Sequence, residues 1–117
     1  LLGEWGACIG KTLFPKEGFS GDVRYISRAM AAAGSDARMN GCELPVCIIS
    51  GSGNQGITAS VPVCVYAKEL SCSEEEMIRA VILSDLITVH LKTGIGCLSA
   101  YCGAISAGCA AACGISQ

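Results

Sequence analysis

The spacing of apolar residues along the chain predicts helices throughout. Apolar side chains recur every three or four positions, and no stretch shows the strict alternation of a half-buried strand. We therefore expect an all-α fold with helices over residues 23–34, 57–70, 74–91 and 98–113, the last of them central. With 117 residues, the chain suits one compact domain, 1–117.

The helix over residues 74–91 has the clearest start signal. Ser73 followed by Glu76 has the spacing of a capping box, in which side chain and backbone at the helix start bond each other. A stripe at helical spacing predicts the face turned to the core. Its members are Ile78, Val81, Ile82, Leu86 and Val89, with Asp85 as the one charged interruption.

Helix-starting and helix-breaking residues elsewhere in the sequence predict the other helix boundaries. A short apolar segment over residues 3–14 is stopped by Pro15, and Asp22 can lie at the start of the helix over residues 23–34. The run Gly34-Ser35-Asp36 is expected to end or interrupt that helix.

A cluster of glycine and amide residues marks a candidate site. Residues 44–67 carry no charge, yet Ser50-Gly51-Ser52-Gly53-Asn54-Gln55-Gly56 lies in the middle of them. Glycines let backbone N–H groups approach a ligand, and amides add donors without charge. The helix that follows would direct its N-terminus at this loop and favour an anion such as a substrate carboxylate. A tight turn between buried segments is the alternative interpretation.

The C-terminal stretch over residues 93–117 is also uncharged, but its composition argues against a membrane span. Most of its residues are Gly, Ala, Ser or Cys, which gain little from insertion into lipid. A buried helix with small residues fits better. On that helix Cys102, Cys109 and Cys113 would share one face.

Composition narrows the class of protein further. Nine cysteines, an odd number, lie mostly in apolar helical sequence, which favours reduced thiols and a cytoplasmic location. No pair has the CxxC spacing of a zinc ribbon. The net charge of −2 and the lack of a basic run argue against a nucleic-acid partner or a membrane surface. The chain begins with Leu1 instead of an initiator Met and shows no signal-peptide layout, so we expect an excised piece of a longer protein.

Three ordered motifs carry a family resemblance. They are Gly-Cys-Glu-Leu-Pro-Val (41–46), Gly-Ser-Gly-Asn-Gln-Gly-Ile (51–57) and His-Leu-Lys-Thr-Gly-Ile-Gly-Cys-Leu-Ser-Ala-Tyr-Cys-Gly (90–103). They resemble the alpha-chain domain of iron–sulfur-dependent L-serine dehydratases, and within it the L-cysteine desulfidase-like subgroup. The resemblance implies that this chain is the C-terminal part of a longer catalytic region, completed by the rest of the parent chain or by a homo-oligomer.

The resemblance also implies the cofactor and its ligands. It predicts an oxygen-sensitive [4Fe–4S] cluster held by three cysteines, with one iron open to substrate, and no pyridoxal phosphate. Cys42, Cys102 and Cys109 are the ligand candidates, although a rise of about 1.5 Å per residue separates the last two by roughly 10 Å. Rivals remain among the other thiols, namely Cys47 and Cys64 for the first position, Cys113 for the last, and Cys97 with a weaker claim. Cys8 and Cys72 have no assigned role.

The implied reaction is β-elimination and deamination of L-serine or L-cysteine, which gives pyruvate and ammonia. It needs a Lewis acid, a base and donors for the carboxylate. Ser52, Gly53, Asn54, Gln55 and Gly56 are the predicted substrate-binding residues. His90 and Lys92, within the third motif, are candidates for carboxylate binding or proton transfer, and Glu43 is a candidate acceptor beside Cys42. A non-catalytic or regulatory helical module is the alternative function, and the sequence does not distinguish serine from cysteine.

Overall fold

The computed structural model of the chain describes residues 4–14, 22–96 and 101–117. Within these ranges it contains five helices and no strand, which confirms the all-α prediction. The helices are α1 (Ile9–Leu13), α2 (Val23–Met39), α3 (Gly53–Glu69), α4 (Glu74–Ile95) and α5 (Gly103–Ile115).

Helix α3 forms the centre of the bundle. Helix α3 packs against α2, α4 and α5, while α5 packs against α3 and α4, and α1 packs on α2. Gly34 faces the side chain of Ile57, and Arg38, one turn later in α2, bonds Asn54 at the start of α3. Helix α2 therefore runs antiparallel to α3.

The directions of α4 and α5 follow from their contacts. Only residues 70–73 join α3 to α4, which makes these two helices antiparallel neighbours. The start of α5 at Gly103 lies beside Gln55 at the start of α3, whereas Gly114 near its end lies against Ser84 of α4. The Ser84 hydroxyl donates to the carbonyl of Ala59 at 2.8 Å. Helix α5 is thus parallel to α3 and antiparallel to α4.

The core consists mainly of small side chains, as the sequence predicts for α5. Its buried apolar members are Ile26, Ala29, Ile57, Ala59, Val63, Ala67, Ala107, Ala110 and Ala111. Gly114 shows how closely the helices approach, because a Cβ there would lie 2.7 Å from the carbonyl oxygen of Ala80. The bundle is therefore held by close backbone approach more than by large aliphatic groups.

Helix α2 does not end at the predicted Gly34-Ser35-Asp36 run and continues to Met39. Gly34 is accommodated inside the helix because it packs on Ile57, where a Cβ would lie 3.3 Å from a methyl carbon. The Asp36 carboxylate accepts the backbone N–H groups of Ala7 and Ile9 at 3.2 and 3.1 Å. Tertiary contacts thus override local helix-breaking signals.

Two helix starts also differ from the predictions. Helix α3 begins at Gly53, four residues earlier than predicted, because the Ser52 side chain accepts the N–H of Gln55 and caps the helix. Pro62 lies inside α3. Helix α5 begins at Gly103 with Cys102 as its N-cap, while the predicted first residues, 98–100, lie outside the described part of the chain.

The predicted inward stripe of α4 is wrong. Four of its members are exposed, namely Ile78 (48%), Ile82 (51%), Leu86 (62%) and Val89 (41%), and its other members, Val81 and Asp85, are half-buried. The fully buried residues of this helix are Ser84 and Thr88. The capping box itself is confirmed, and α4 extends beyond the predicted residue 91 to Ile95.

Candidate functional site

The bundle gathers most of the predicted site residues at one end. The antiparallel arrangement brings the C-terminal ends of α2 and α4 to the N-terminal ends of α3 and α5. The segment after α2 carries Cys42, and Cys102 occupies the N-cap position of α5 without a capping hydrogen bond from its side chain. His90 and Lys92 lie in the last turns of α4 at the same end. The fold therefore brings the three sequence motifs together.

The first turn of α3 presents free backbone donors. Within α3, Gln55 N–H bonds the Ser52 hydroxyl at 3.4 Å and Gly56 N–H bonds the Ser52 carbonyl at 3.2 Å. Among the described residues, the N–H groups of Gly53 and Asn54 have no acceptor. Such groups at a helix start carry a partial positive charge and favour an anion.

Arg38 adds a cation to this helix start, and the sequence reasoning did not single it out. Its Nη1 donates to Asn54 Oδ1 at 3.1 Å, which leaves the Asn54 amide N–H groups directed elsewhere. The Arg38 side chain also covers Gly53, because a Cβ on this glycine would overlap with Arg38 Nε. Within the described residues Arg38 has no carboxylate partner, in contrast to the cations of the surface ion pairs.

The position of Arg38 in the sequence is the signal that could have found it. It is the last charged residue before Glu43 and the uncharged residues 44–67, so it is the nearest preceding cation to the glycine loop. The predicted helix over residues 23–34 stops four residues short of it. That boundary places Arg38 in a connecting segment, away from the loop.

Gln55 stabilises the loop from inside. It is completely buried, and its Oε1 accepts the N–H of Ser50 at 3.1 Å while its Nε2 donates to the Ser50 hydroxyl at 3.2 Å. The same side chain lies against Gly103, where a Cβ would be 3.6 Å from Nε2. Gln55 therefore joins the predicted substrate loop to the start of α5 beside Cys102.

Gly56 allows the loop and helix to touch. A Cβ at this position would overlap with the carbonyl oxygen of Cys47, which belongs to the segment before the loop. No side chain fits there without moving one of the two backbones. Residues 47–56 are thus closely fitted to each other.

The cysteines are not gathered into one metal site in the described part of the chain. Cys42 is half-buried, and Cys102, Cys109 and Cys113 are exposed on or at the start of α5. No group of three or more His, Cys, Asp or Glu side chains is close enough to hold a metal ion in residues 4–14, 22–96 and 101–117. Cys97 lies outside these ranges. The described residues alone therefore do not fit a cluster bound by three thiolates.

The remaining predicted residues lie at the periphery of this end. His90 is exposed and Lys92 is half-buried, and neither side chain is hydrogen-bonded to residues 50–56. Glu43 is exposed beside Cys42.

Thr88, two residues before His90, is fully buried, and its hydroxyl has no hydrogen-bond partner among the described residues. It is a second polar residue that the sequence reasoning missed.

Across the described ranges, no helix has the length and hydrophobicity required to cross a membrane.

Comparisons with known proteins identify the family. The family model described as serine dehydratase alpha chain matches residues 3–117. A UPF0597 protein of Desulfitobacterium hafniense (strain Y51) is 60% identical over 115 residues, which cover 98% of this chain and 26% of that protein. A UPF0597 protein of Lachnoclostridium phytofermentans is 52% identical over 115 residues, covering 98% of this chain and 27% of the relative. No solved structure matches the chain.

The chain spans about a quarter of the length of these curated relatives. The family match nevertheless covers nearly all of it, in agreement with the three motifs and the all-α fold. This chain belongs to the serine dehydratase alpha chain family.

Proposed function

We propose that this chain is the substrate-carboxylate-binding part of an iron–sulfur-dependent lyase that removes water from L-serine or hydrogen sulfide from L-cysteine, with pyruvate and ammonia as final products. Membership of the serine dehydratase alpha chain family supports a lyase-type role. This family is generally iron–sulfur dependent, which supports the cluster. The rest of the longer polypeptide, or a second subunit, supplies the remaining parts of the active site. Pyridoxal phosphate takes no part.

One observation carries the proposal: Arg38 and two free backbone N–H groups lie together at the start of α3. A substrate carboxylate accepts hydrogen bonds from Gly53 and Asn54 there, while the guanidinium supplies the opposite charge. Asn54 Oδ1 fixes the guanidinium at 3.1 Å, so the donors are arranged before the substrate arrives.

The cluster, when bound, supplies the Lewis acid for the leaving group. We propose Cys42, Cys102 and Cys109 as its ligands in the full-length protein. This assignment requires the full-length protein to bring these thiols together, or to replace one of them with Cys47, Cys64, Cys97 or Cys113. His90 and Lys92 lie at the same end of the bundle and are proposed to bind substrate or transfer a proton.

Replacement of Arg38 tests the carboxylate site in the full-length protein. For Arg38→Ala we expect KM for L-serine or L-cysteine to rise roughly tenfold to a hundredfold, as for the loss of a charge-assisted hydrogen bond. Arg38→Lys should recover part of this loss because the charge is kept. Turnover of both amino acids, measured side by side, also identifies the preferred substrate.

Arg28→Ala is the matched control on the same helix. Arg28 bonds the carbonyl of Arg24 at 3.1 Å and lies 4.8 Å from the centre of the Tyr25 ring, away from the loop. We expect its KM to equal that of the unmodified protein. An unchanged KM in Arg38→Ala would remove Arg38 from the site.

A non-catalytic helical module is the second candidate function. It is favoured by the lack of a three-ligand metal set in the described residues. Under this alternative, the full-length protein would contain no iron and would turn over neither amino acid.

A further inference from the structure

Helix α4 carries large aliphatic side chains on the face that this bundle leaves exposed, while two hydroxyl residues lie on its packed face. The residues packed against α3 and α5 include Ser84 and Thr88, which are completely buried. The exposed side carries large aliphatic groups instead. A helix at the surface of a globular protein normally has the opposite arrangement.

The exposed aliphatic residues form one continuous surface, which we call the α4 stripe: Ile78, Ile82, Leu86 and Val89. Their spacing of four, four and three residues places them on a single helix face over about three turns. The ion pair between Glu75 and Arg79, at 2.6 Å, borders the stripe on one side. The stripe itself carries no charge, so it is suited to an apolar partner.

Asp85 lies on the border between the stripe and the packed face. Its Oδ1 is buried and has no hydrogen-bond partner among the described residues. Burial raises the pKa of this carboxyl group above its ordinary value. A buried carboxylate oxygen without a donor is costly, and such a group in a native protein normally has a partner. The element that covers the stripe should therefore bring a hydrogen-bond donor to Asp85.

We infer that the α4 stripe is the contact face for an apolar helix from the remaining part of the full-length polypeptide, which also supplies a hydrogen-bond donor to Asp85. The relatives' lengths support this occupant, because this chain corresponds to only 26% and 27% of them. Most of the polypeptide in such a protein lies beyond this chain and must pack somewhere. The inference does not depend on the proposed reaction.

A second copy of this chain fits the stripe less well. Two α4 stripes can pair about a twofold axis parallel to the helices, which places equivalent residues opposite each other, or about a perpendicular axis near the middle of the stripe, between Ile82 and Leu86. Either geometry brings the two Asp85 carboxylates close to each other. The two negative charges would repel each other, and neither carboxylate would gain a hydrogen-bond donor.

Substitutions in the stripe test the inference in the full-length protein. For Ile82→Lys and Leu86→Lys, we expect the thermal unfolding midpoint to fall on the order of 5 °C, because a charge is forced into an apolar contact. The oligomeric state, measured by analytical ultracentrifugation, should not change. Arg79→Gln is the matched control, since its side chain is 67% exposed and lies outside the stripe, and it should leave the midpoint unchanged.

Hydroxyl-radical labelling of the unmodified full-length protein gives an independent measurement if the lysine variants do not fold. We expect Ile82 and Leu86 to be protected from labelling. Labelling at the rate of a solvent-exposed leucine would overturn the inference, as would an unchanged midpoint in both variants. Dissociation of an oligomer by Leu86→Lys, with subunits still folded, would assign the stripe to a second copy instead.

Discussion

Gly56 shows how a single residue limits the shape of the candidate site. Its α-carbon lies so close to the carbonyl of Cys47 that a side chain would overlap with this oxygen. Gln55, next to it, is buried and bonded to Ser50. The backbone of the loop is therefore fixed from two directions before any ligand binds.

Gly56→Ala should destabilise the chain by about 1–3 kcal/mol, because the added methyl group forces the loop away from α3. Urea unfolding followed by circular dichroism measures this loss. Gly94→Ala is the control, since a methyl group on that glycine of α4 would meet no neighbouring element within 4 Å in the described part of the chain. We expect Gly94→Ala to be neutral or slightly stabilising. Equal stability of the two variants would contradict the close contact at Gly56.

At the scale of elements, the start of α4 is determined locally. The Glu76 carboxylate accepts the Ser73 N–H at 2.8 Å and the Ser73 hydroxyl at 2.7 Å, and the Glu76 N–H bonds the same hydroxyl at 3.3 Å. The hydrogen bonds from Ser73 lower the pKa of Glu76. Local bonding of this kind can be recognised from two residues in the sequence.

Ser73→Ala should lower the free energy of unfolding by about 1 kcal/mol through loss of the N-cap. Because the folded pKa of Glu76 is depressed, its contribution is present above the unfolded pKa and is lost as pH falls through the folded pKa. The variant should therefore show a weaker loss of stability on acidification than the unmodified chain. Chemical unfolding at several pH values between neutral and acidic measures both effects. Identical pH profiles would contradict a role for the hydroxyl in lowering the Glu76 pKa.

Four of the five helices in the described residues are predictable from the sequence, with α1 as the exception, but the environment of each helix is not. The period of the stripe in α4 identifies one apolar face correctly, yet periodicity does not say whether that face meets this chain's core or another part of a longer protein. The end of α2 is missed because Gly34 is held by Ile57, a contact between residues far apart in sequence. The start of α3 is missed because Ser52 acts as its cap despite the two glycines beside it.

At the scale of the whole molecule, the parallel and antiparallel packing decides which site residues meet. The motifs around Cys42, Asn54 and Cys102 reach the same end because α3 and α5 start there and α2 ends there. The motifs are visible in the sequence but their convergence is not, and the contact with Arg38 depends on α2 continuing to Met39. The positions of the cluster ligands stay a prediction.

Alanine substitution of single cysteines in the full-length protein tests that prediction. We expect iron content per chain and lyase activity to fall together in Cys42→Ala, Cys102→Ala and Cys109→Ala, because each removes a thiolate ligand. Iron is measured by mass spectrometry after anaerobic reconstitution, with helical content checked by circular dichroism. Cys8→Ala and Cys72→Ala are the controls and should keep both iron and activity. Full iron loading in Cys102→Ala would reject its assignment, and activity without iron would reject the iron–sulfur proposal.

Pro62 lies near the middle of α3. Proline has no N–H to offer the carbonyl of Thr58, so the helix lacks one hydrogen bond and is least resistant to bending at this point. Buried residues anchor α3 on both sides of Pro62: Gln55, Ile57 and Ala59 before it, and Val63 and Ala67 after it. The packing of the two halves therefore has to hold the helix straight at the one turn where its own hydrogen bonding is incomplete.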